Sequence, residues 1–317
     1  MSESILKVQN LKKYFPVHGG TLHAVDGVSF EIPRGKTMGV VGESGCGKST
    51  LGRSLILLNT PTEGSVVFDG QDITAMTKKQ FARVRPGMQM IFQDPYSSLN
   101  GRMSVRSLIA EPLIVNKMCR SKKEAFERVD EMMETVGLAR RLADAYPHEL
   151  DGGRRQRIGV ARALIMKPKF VVCDEPVSAL DVSIQAQILN LLMDMQEKMD
   201  LTYLFITHDL SVVHHISDEI MVMYLGKCVE RASYAELFNN PMHPYTRALL
   251  AAIPVPSVDS RNKKHKLIEG EVVSPVNPAP GCRFASRCPY AREECRREDI
   301  PLREAAPGHY TACIRCM

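Results

Sequence analysis

The sequence predicts an α/β fold built on a parallel sheet, followed by a small cysteine-rich C-terminal appendix. Three observations carry that expectation. The short apolar run Lys36-Thr37-Met38-Gly39-Val40-Val41 leads into a glycine loop, Gly42-Glu43-Ser44-Gly45-Cys46-Gly47-Lys48-Ser49, and Ser49-Thr50-Leu51 can open a helix directly behind it. A second apolar, β-prone run, Phe170-Val171-Val172-Cys173, ends on the carboxylate pair Asp174-Glu175. Strands of a parallel sheet deliver their C-terminal ends to a ligand crevice. Five of the nine cysteines fall after Gly281, and the Pro-, Ser-, Asn- and Lys-rich stretch before them reads as a connector.

The bulk composition fits this picture. A chain of 317 residues is long enough for one large α/β domain and a smaller appendix. With 44% hydrophobic and 24% charged residues it is an ordinary globular composition. The net charge of +5 is mild, so a dedicated nucleic-acid binder is not expected. No apolar run reaches the length that spans a bilayer, and the N-terminus lacks a secretory pattern, so a cytosolic chain is expected. Its cysteines are then reduced or metal-bound.

The glycine loop has the form G-x-x-x-x-G-K-[ST]. Backbone N–H groups around such a loop cradle a phosphate, the lysine reaches the β- and γ-phosphates, and the Ser hydroxyl meets Mg²⁺. Unpaired N–H groups at a helix N-terminus add to the same anion site. The predicted fold is therefore a P-loop nucleoside triphosphatase (NTPase), with Lys48 on phosphate and Ser49 on Mg²⁺. At the end of the second strand Asp174 would hold the metal, and Glu175 would polarise the water that attacks the γ-phosphate. Cys46 stands at the helix N-terminus, a position that lowers a thiol pKa, but this loop position needs no particular side chain and the residue reads as incidental.

Between these two features lies Leu150-Asp151-Gly152-Gly153-Arg154-Arg155-Gln156-Arg157-Ile158-Gly159-Val160-Ala161-Arg162-Ala163-Leu164, a glycine pair opening a basic helix with Ile158, Ala161 and Leu164 on one face. Here the chain resembles the ATP-binding cassette (ABC) transporter ATPases, whose signature is L-S-G-G-Q followed by such a helix. The resemblance spans about residues 5 to 250. It implies a RecA-like parallel-sheet core with an antiparallel β subdomain and a helical subdomain at about residues 95–165. It also implies roles for further residues. Gln93, in Met90-Ile91-Phe92-Gln93, matches the glutamine that senses Mg²⁺ and water. Asp181, in Ser178-Ala179-Leu180-Asp181, matches the loop that crosses to a second cassette, and His208 matches the switch histidine on the γ-phosphate. Phe15, or its neighbour Tyr14, sits where an aromatic stacks on adenine. Phe15, Gly42 to Thr50, Gln93, Asp174, Asp181 and the signature residues Asp151, Gly152 and Gly153 then form the ATP-binding set. Glu175, His208, Gln93 and Lys48 form the catalytic one, and Ser49, Gln93 and Asp174 hold Mg²⁺.

The signature departs from the family pattern at two positions, Asp151 for serine and Arg154 for glutamine. In the family each signature closes on the ATP of the opposite cassette. An ionised carboxylate cannot donate to a γ-phosphate and sets like charge against it, unless Arg154 or another basic neighbour offsets it. The resemblance thus implies a heterodimer with a second ABC ATPase subunit, in which Asp151 covers a weaker site.

Ser121-Lys122-Lys123-Glu124-Ala125-Phe126-Glu127-Arg128-Val129-Asp130-Glu131-Met132-Met133-Glu134-Thr135-Val136 is a plain amphipathic helix, with Ala125, Val129, Met132, Met133 and Val136 on one face. In the family this region receives coupling helices from membrane subunits. Two transmembrane permease subunits and an extracytoplasmic substrate-binding protein are implied as separate chains, with this one peripheral on the cytoplasmic face of the membrane.

Finally, Asn240-Pro241-Met242-His243-Pro244-Tyr245-Thr246-Arg247-Ala248-Leu249-Leu250, a proline connector and the cysteine tail resemble the ATP-binding subunits of dipeptide and oligopeptide importers. Nickel importers share much of this pattern, and a soluble non-transport ABC ATPase is a further alternative. The expected domains are residues 1–253, a connector at 254–281 and a metal-binding region at 282–317. The resemblance assigns a [4Fe–4S] cluster to Cys282, Cys288, Cys295 and Cys313, with Cys316 spare. Four thiolates also suit Zn²⁺, which is the alternative.

Overall fold

A computed structural model of the chain describes residues 3–253 and 274–316, so the part of the connector between them lies outside the described residues. In chain order the elements begin with β1 (Ser4–Val17), β2 (Gly20–Pro33), β3 (Thr37–Val41) and α1 (Lys48–Leu55). Then come β4 (Glu63–Phe68), β5 (Gln71–Asp72), α2 (Lys78–Val84), β6 (Met88–Ile91) and α3 (Pro95–Ser98). They continue with α4 (Val105–Val115), α5 (Lys122–Thr135), α6 (Gly152–Leu164), β7 (Phe170–Asp174) and α7 (Val182–Met199). After β8 (Thr202–Ile206) follow α8 (Leu210–Ile216), β9 (Glu219–Tyr224), β10 (Lys227–Ser233), α9 (Tyr234–Asn239) and α10 (Pro244–Ala251). The tail adds β11 (Arg303–Ala306) and β12 (His309–Thr311).

The chain divides into two compact units. One holds residues 75–204 with two short N-terminal pieces. In it β6 and β7 pair in parallel, with Ile91 opposite Cys173, and β8 is next in the strand order. β7 is buried along its whole length, as expected of a parallel strand covered on both faces. The insert folds as helices: Ser121 caps α5 by accepting from Glu124 N–H, and Ala125, Val129, Met132, Met133 and Val136 are all buried. α4 and α6 pack against one another, α6 burying Ile158, Ala161 and Leu164 completely.

The second unit holds residues 6–32, 37–74 and 205–317. Its antiparallel sheet runs in the order β2-β1-β4-β5, with Leu6 opposite Phe68 and Val8 opposite Val66. On β1 the buried Val8 lies between the exposed Lys7 and Gln9, the period-two pattern of a half-covered sheet. Its other strands run in the order β11-β12-β10-β9-β3. β3 pairs in parallel with β9, Val41 opposite Val222, and is buried throughout. β8 carries the chain from one unit to the other, and Thr207 N–H beyond it donates to Val40 O at 3.1 Å.

The cysteine tail is not set apart as a body of its own. β12 adds antiparallel to β10, pairing Glu230 with Thr311, and β11 adds to β12. Phe284 is buried against Tyr224 and Tyr245, with ring centroids 5.3 Å from each. The physical reason is that a tail too small for its own core buries apolar surface by extending an existing sheet. Among the described residues no helix is long and apolar enough to cross a membrane.

Candidate functional site

In the second unit, β3 delivers the glycine loop to the N-terminus of α1. Gly42 has φ 151°, and a Cβ there would lie 2.2 Å from Met223 O; at Gly47, φ is 107° and a Cβ would meet Ala24 O at 2.0 Å. Only glycine fits at either place. Cys46 is buried, its carbonyl accepting from Gly226 N–H at 2.8 Å. Lys48 is 4% exposed and turns back over the loop, donating to Gly42 O at 2.8 Å and Glu43 O at 3.0 Å. Ser49 and Thr50 occupy the first turn of α1. The loop therefore presents a cation beside a helix N-terminus, an arrangement suited to polyphosphate.

Cys46 stands at a helix N-terminus, where a thiol pKa is ordinarily lowered. Burial pushes its thiol up and outweighs the attraction of Lys48, so the group is a neutral core thiol.

On β1, Tyr14 is fixed: its hydroxyl donates to Asp26 at 2.5 Å, and its ring stacks on His23 with centroids 4.0 Å apart. Phe15 instead lies under Lys13 Nζ at 4.7 Å. His208 follows β8 and is exposed, and Asp209 behind it caps α8 by accepting from Ser211 N–H.

The first unit holds the carboxylates. Asp174 ends β7 and is 1% exposed. Glu175 has φ 47°, a left-handed backbone that costs energy for a residue with a side chain. Gln93 Nε2 donates to Glu175 Oε2 at 3.1 Å. The register explains this contact: Ile91 faces Cys173 across β6 and β7, and each of the two residues lies two positions further on. Ser178 Oγ donates to Glu175 O at 3.1 Å and steadies the turn. Gln93 and Asp174 offer amide and carboxylate oxygens, the hard donors that Mg²⁺ prefers.

Asp151 is the N-cap of α6. Its Oδ1 accepts from Arg154 N–H at 2.8 Å and its Oδ2 lies 3.5 Å from Arg154 Nε. The carboxylate is thus directed at its own helix terminus, a role serine also fills. A Cβ on Gly153 would lie 2.8 Å from Ile184 Cγ2, so the close approach of α7 requires glycine there; on Gly152 it would sit 3.2 Å from Leu180 Cδ2. Asp181 is exposed at the start of α7.

Two residues at the glycine loop, and a third that holds Asp26, escaped sequence reasoning. Tyr245 Oη accepts from Glu43 N–H at 2.8 Å, and Arg287 Nη1 donates to Glu43 Oε2 at 2.8 Å. Arg283 donates to Asp26 and, at 3.2 Å, to Leu225 O. The one available signal was the segment around His243-Pro244-Tyr245, which read as a subfamily marker.

In the tail, Cys295 and Cys313 are buried, while Cys282, Cys288 and Cys316 are partly so. Burial pushes the Cys282 thiol up to about 11, with further contributions from the charges of Cys295, Cys288 and Cys313. Among the described residues no group of three or more His, Cys, Asp or Glu side chains is arranged to hold a metal ion. Cys316 Sγ donates instead to Met242 O at 3.4 Å.

Comparison with known proteins adds two family matches: residues 25–178 match the family described as ABC transporter, and residues 229–295 the oligopeptide/dipeptide transporter C-terminal region. The oligopeptide transport ATP-binding protein AppF of Bacillus subtilis is 50% identical, the match covering 98% of this chain and 97% of that protein. The dipeptide transport ATP-binding protein DppF of Haemophilus influenzae is 50% identical, over 98% and 96%. Among solved structures, the dimeric post-hydrolysis state of the ATP-binding cassette MJ0796 with ADP and Pi superposes with a TM-score of 0.66 at 26% identity, covering 72% of this chain and 98% of that one.

Proposed function

The chain belongs to the ABC transporter family, and from that premise we propose that it is the ATP-hydrolysing subunit of an importer for oligopeptides or dipeptides. The observation that carries the cargo class is the match of residues 229–295 to the oligopeptide/dipeptide C-terminal region, within relatives 50% identical over nearly the whole chain. The chain is an ATPase, as the members of its family are. It acts at the cytoplasmic face of the membrane with separate permease subunits and an extracytoplasmic substrate-binding protein.

In this reading Lys48 exchanges the carbonyls of Gly42 and Glu43 for the β- and γ-phosphates, and the N-terminus of α1 adds its backbone donors. Ser49, Gln93 and Asp174 hold Mg²⁺, which supplies charge neutralisation on the phosphates. Glu175 accepts a proton from the attacking water, and its bond from Gln93 holds its carboxylate in place. His208 senses the γ-phosphate. A second ATPase subunit covers this site with its signature, while Asp151, Gly152 and Gly153 cover a weaker site on that partner. The support for a weaker site is chemical: a carboxylate already spent on capping α6 and paired with Arg154 offers the γ-phosphate no donor.

A [4Fe–4S] cluster on Cys282, Cys288, Cys295 and Cys313 belongs to the same reading, supported by the placement of all four cysteines, each at least partly buried, in one short C-terminal segment. The sulfurs as arranged do not make a metal-holding set, and no step of hydrolysis is assigned to a cluster. Iron, sulfide and zinc analysis of anaerobically purified chain decides between the cluster and zinc.

The test of the function is the assembled importer in vesicles. Glu175→Gln should keep ATP binding and lose this chain's hydrolysis by about a hundredfold or more, with peptide uptake falling alongside. Uptake of a nickel complex but not of peptides, or peptide uptake that ignores Glu175→Gln, refutes the reading.

A further inference from the structure

All three polar groups of Glu43 are engaged, two of them by the last quarter of the chain. Its N–H donates to Tyr245 Oη at 2.8 Å, its carbonyl accepts from Lys48 Nζ at 3.0 Å, and its carboxylate accepts from Arg287 at 2.8 Å. Arg287 is no incidental surface cation: its side chain is 7% exposed, and Nη1 also reaches Tyr224 Oη at 3.4 Å. Its own backbone N–H donates to Phe284 O at 3.0 Å, and Phe284 packs with Tyr224 and Tyr245, whose rings are 4.7 Å apart. The support behind the loop is therefore one cluster built from β9, α10 and the cysteine tail. A Cβ on Gly42 would lie 2.2 Å from Met223 O, so the loop packs closely against β9.

We infer that Arg287, carried by the cysteine tail, is a positioning residue for nucleotide binding: acting through Glu43, it holds the glycine loop open for the triphosphate. Two physical effects operate. The guanidinium neutralises a carboxylate that would otherwise face an incoming polyanion from within its own binding loop. It also keeps the loop in place when Lys48 leaves the carbonyls of Gly42 and Glu43 for phosphate, because the side chain and N–H of Glu43 stay tied. The tail is in this sense a part of the nucleotide site. The inference rests on the ATP-binding role proposed above and is independent of cargo.

The test uses the full-length chain with a fluorescent ATP analogue, followed by ATPase kinetics in the assembled complex. Arg287→Gln should weaken nucleotide binding about tenfold, raising KM with kcat within about twofold, and Arg287→Lys should recover part of the loss. Glu43→Gln removes the same ion pair and should be non-additive with Arg287→Gln. Should Arg287→Gln fail to fold, Arg287→Lys carries the test and must still raise KM. Equal binding by the wild type and the Arg287 variants, effects that multiply in the double variant, or a fall in kcat at unchanged KM overturns the inference. A wild-type chain that binds no nucleotide overturns the functional reading itself, whereas wild-type binding matched by Arg287→Gln overturns this inference alone.

Discussion

Glu230 is fully buried on β10 and anchors both the cysteine tail and the start of α10. Its Oε1 accepts from Met242 N–H at 2.6 Å and meets His309 Nε2 at 2.7 Å, while its Oε2 accepts from His243 N–H at 2.9 Å. Glu230→Gln keeps the shape and replaces one oxygen by an NH₂ group. Either orientation of the amide leaves at least one NH₂ facing a backbone N–H. The change therefore loses one charge-assisted hydrogen bond, about 2 kcal/mol, and strands a buried donor at about 1–3 kcal/mol. The sum, about 3–5 kcal/mol, matches the cost of breaking other buried pairs. Since the chain has two compact units, the loss is best read locally, by hydrogen exchange of the amides of Met242, His243 and Thr311. Their protection should fall by roughly a hundredfold or more, with the amides of β7 unchanged. A loss below about 1 kcal/mol would refute the reasoning, because it would mean that water or a rearranged His309 satisfies these donors equally well.

Three further outcomes are expected. Burial pushes the pKa of His243 down to about 4, so the unfolded chain takes up this proton first and stability falls as pH drops from about 6.5 towards 4, by about 1.4 kcal/mol per pH unit. His243→Asn, which can still accept from Tyr245 N–H as the cap of α10, should flatten that part of a pH–stability curve; an unchanged slope refutes the assignment. Asp151→Ala should destabilise α6 by about 1 kcal/mol through loss of its cap, whereas Asp151→Ser should stay within about 0.5 kcal/mol. If the signature covers a weaker site, Asp151→Ser should also raise ATP turnover of the two-ATPase complex, and unchanged turnover removes the argument for asymmetry.

What the sequence determined by itself is local. The glycine loop, the strands that end at Gly42 and at Asp174, and the amphipathic helix capped by Ser121 follow from side-chain periodicity, backbone freedom and hydrogen bonds between near neighbours. The Asp151 departure was legible too, but its capping bond was not, because sequence reading weighed the residue as a ligand and not as a helix terminus. Only the tertiary structure decided what meets across long stretches of chain. Gln93 reaches Glu175 across 82 residues because β6 and β7 pair in one register, and nothing local to either residue sets that register. Arg287 reaches Glu43 across 244 residues because β12 extends β10 and seats Phe284 against Tyr224 and Tyr245. β12 spans only His309–Thr311, too short for any periodic pattern, so the merger of the tail with the sheet rests on edge pairing and burial. Such contacts form when the whole chain closes on itself, and no window of sequence contains both partners.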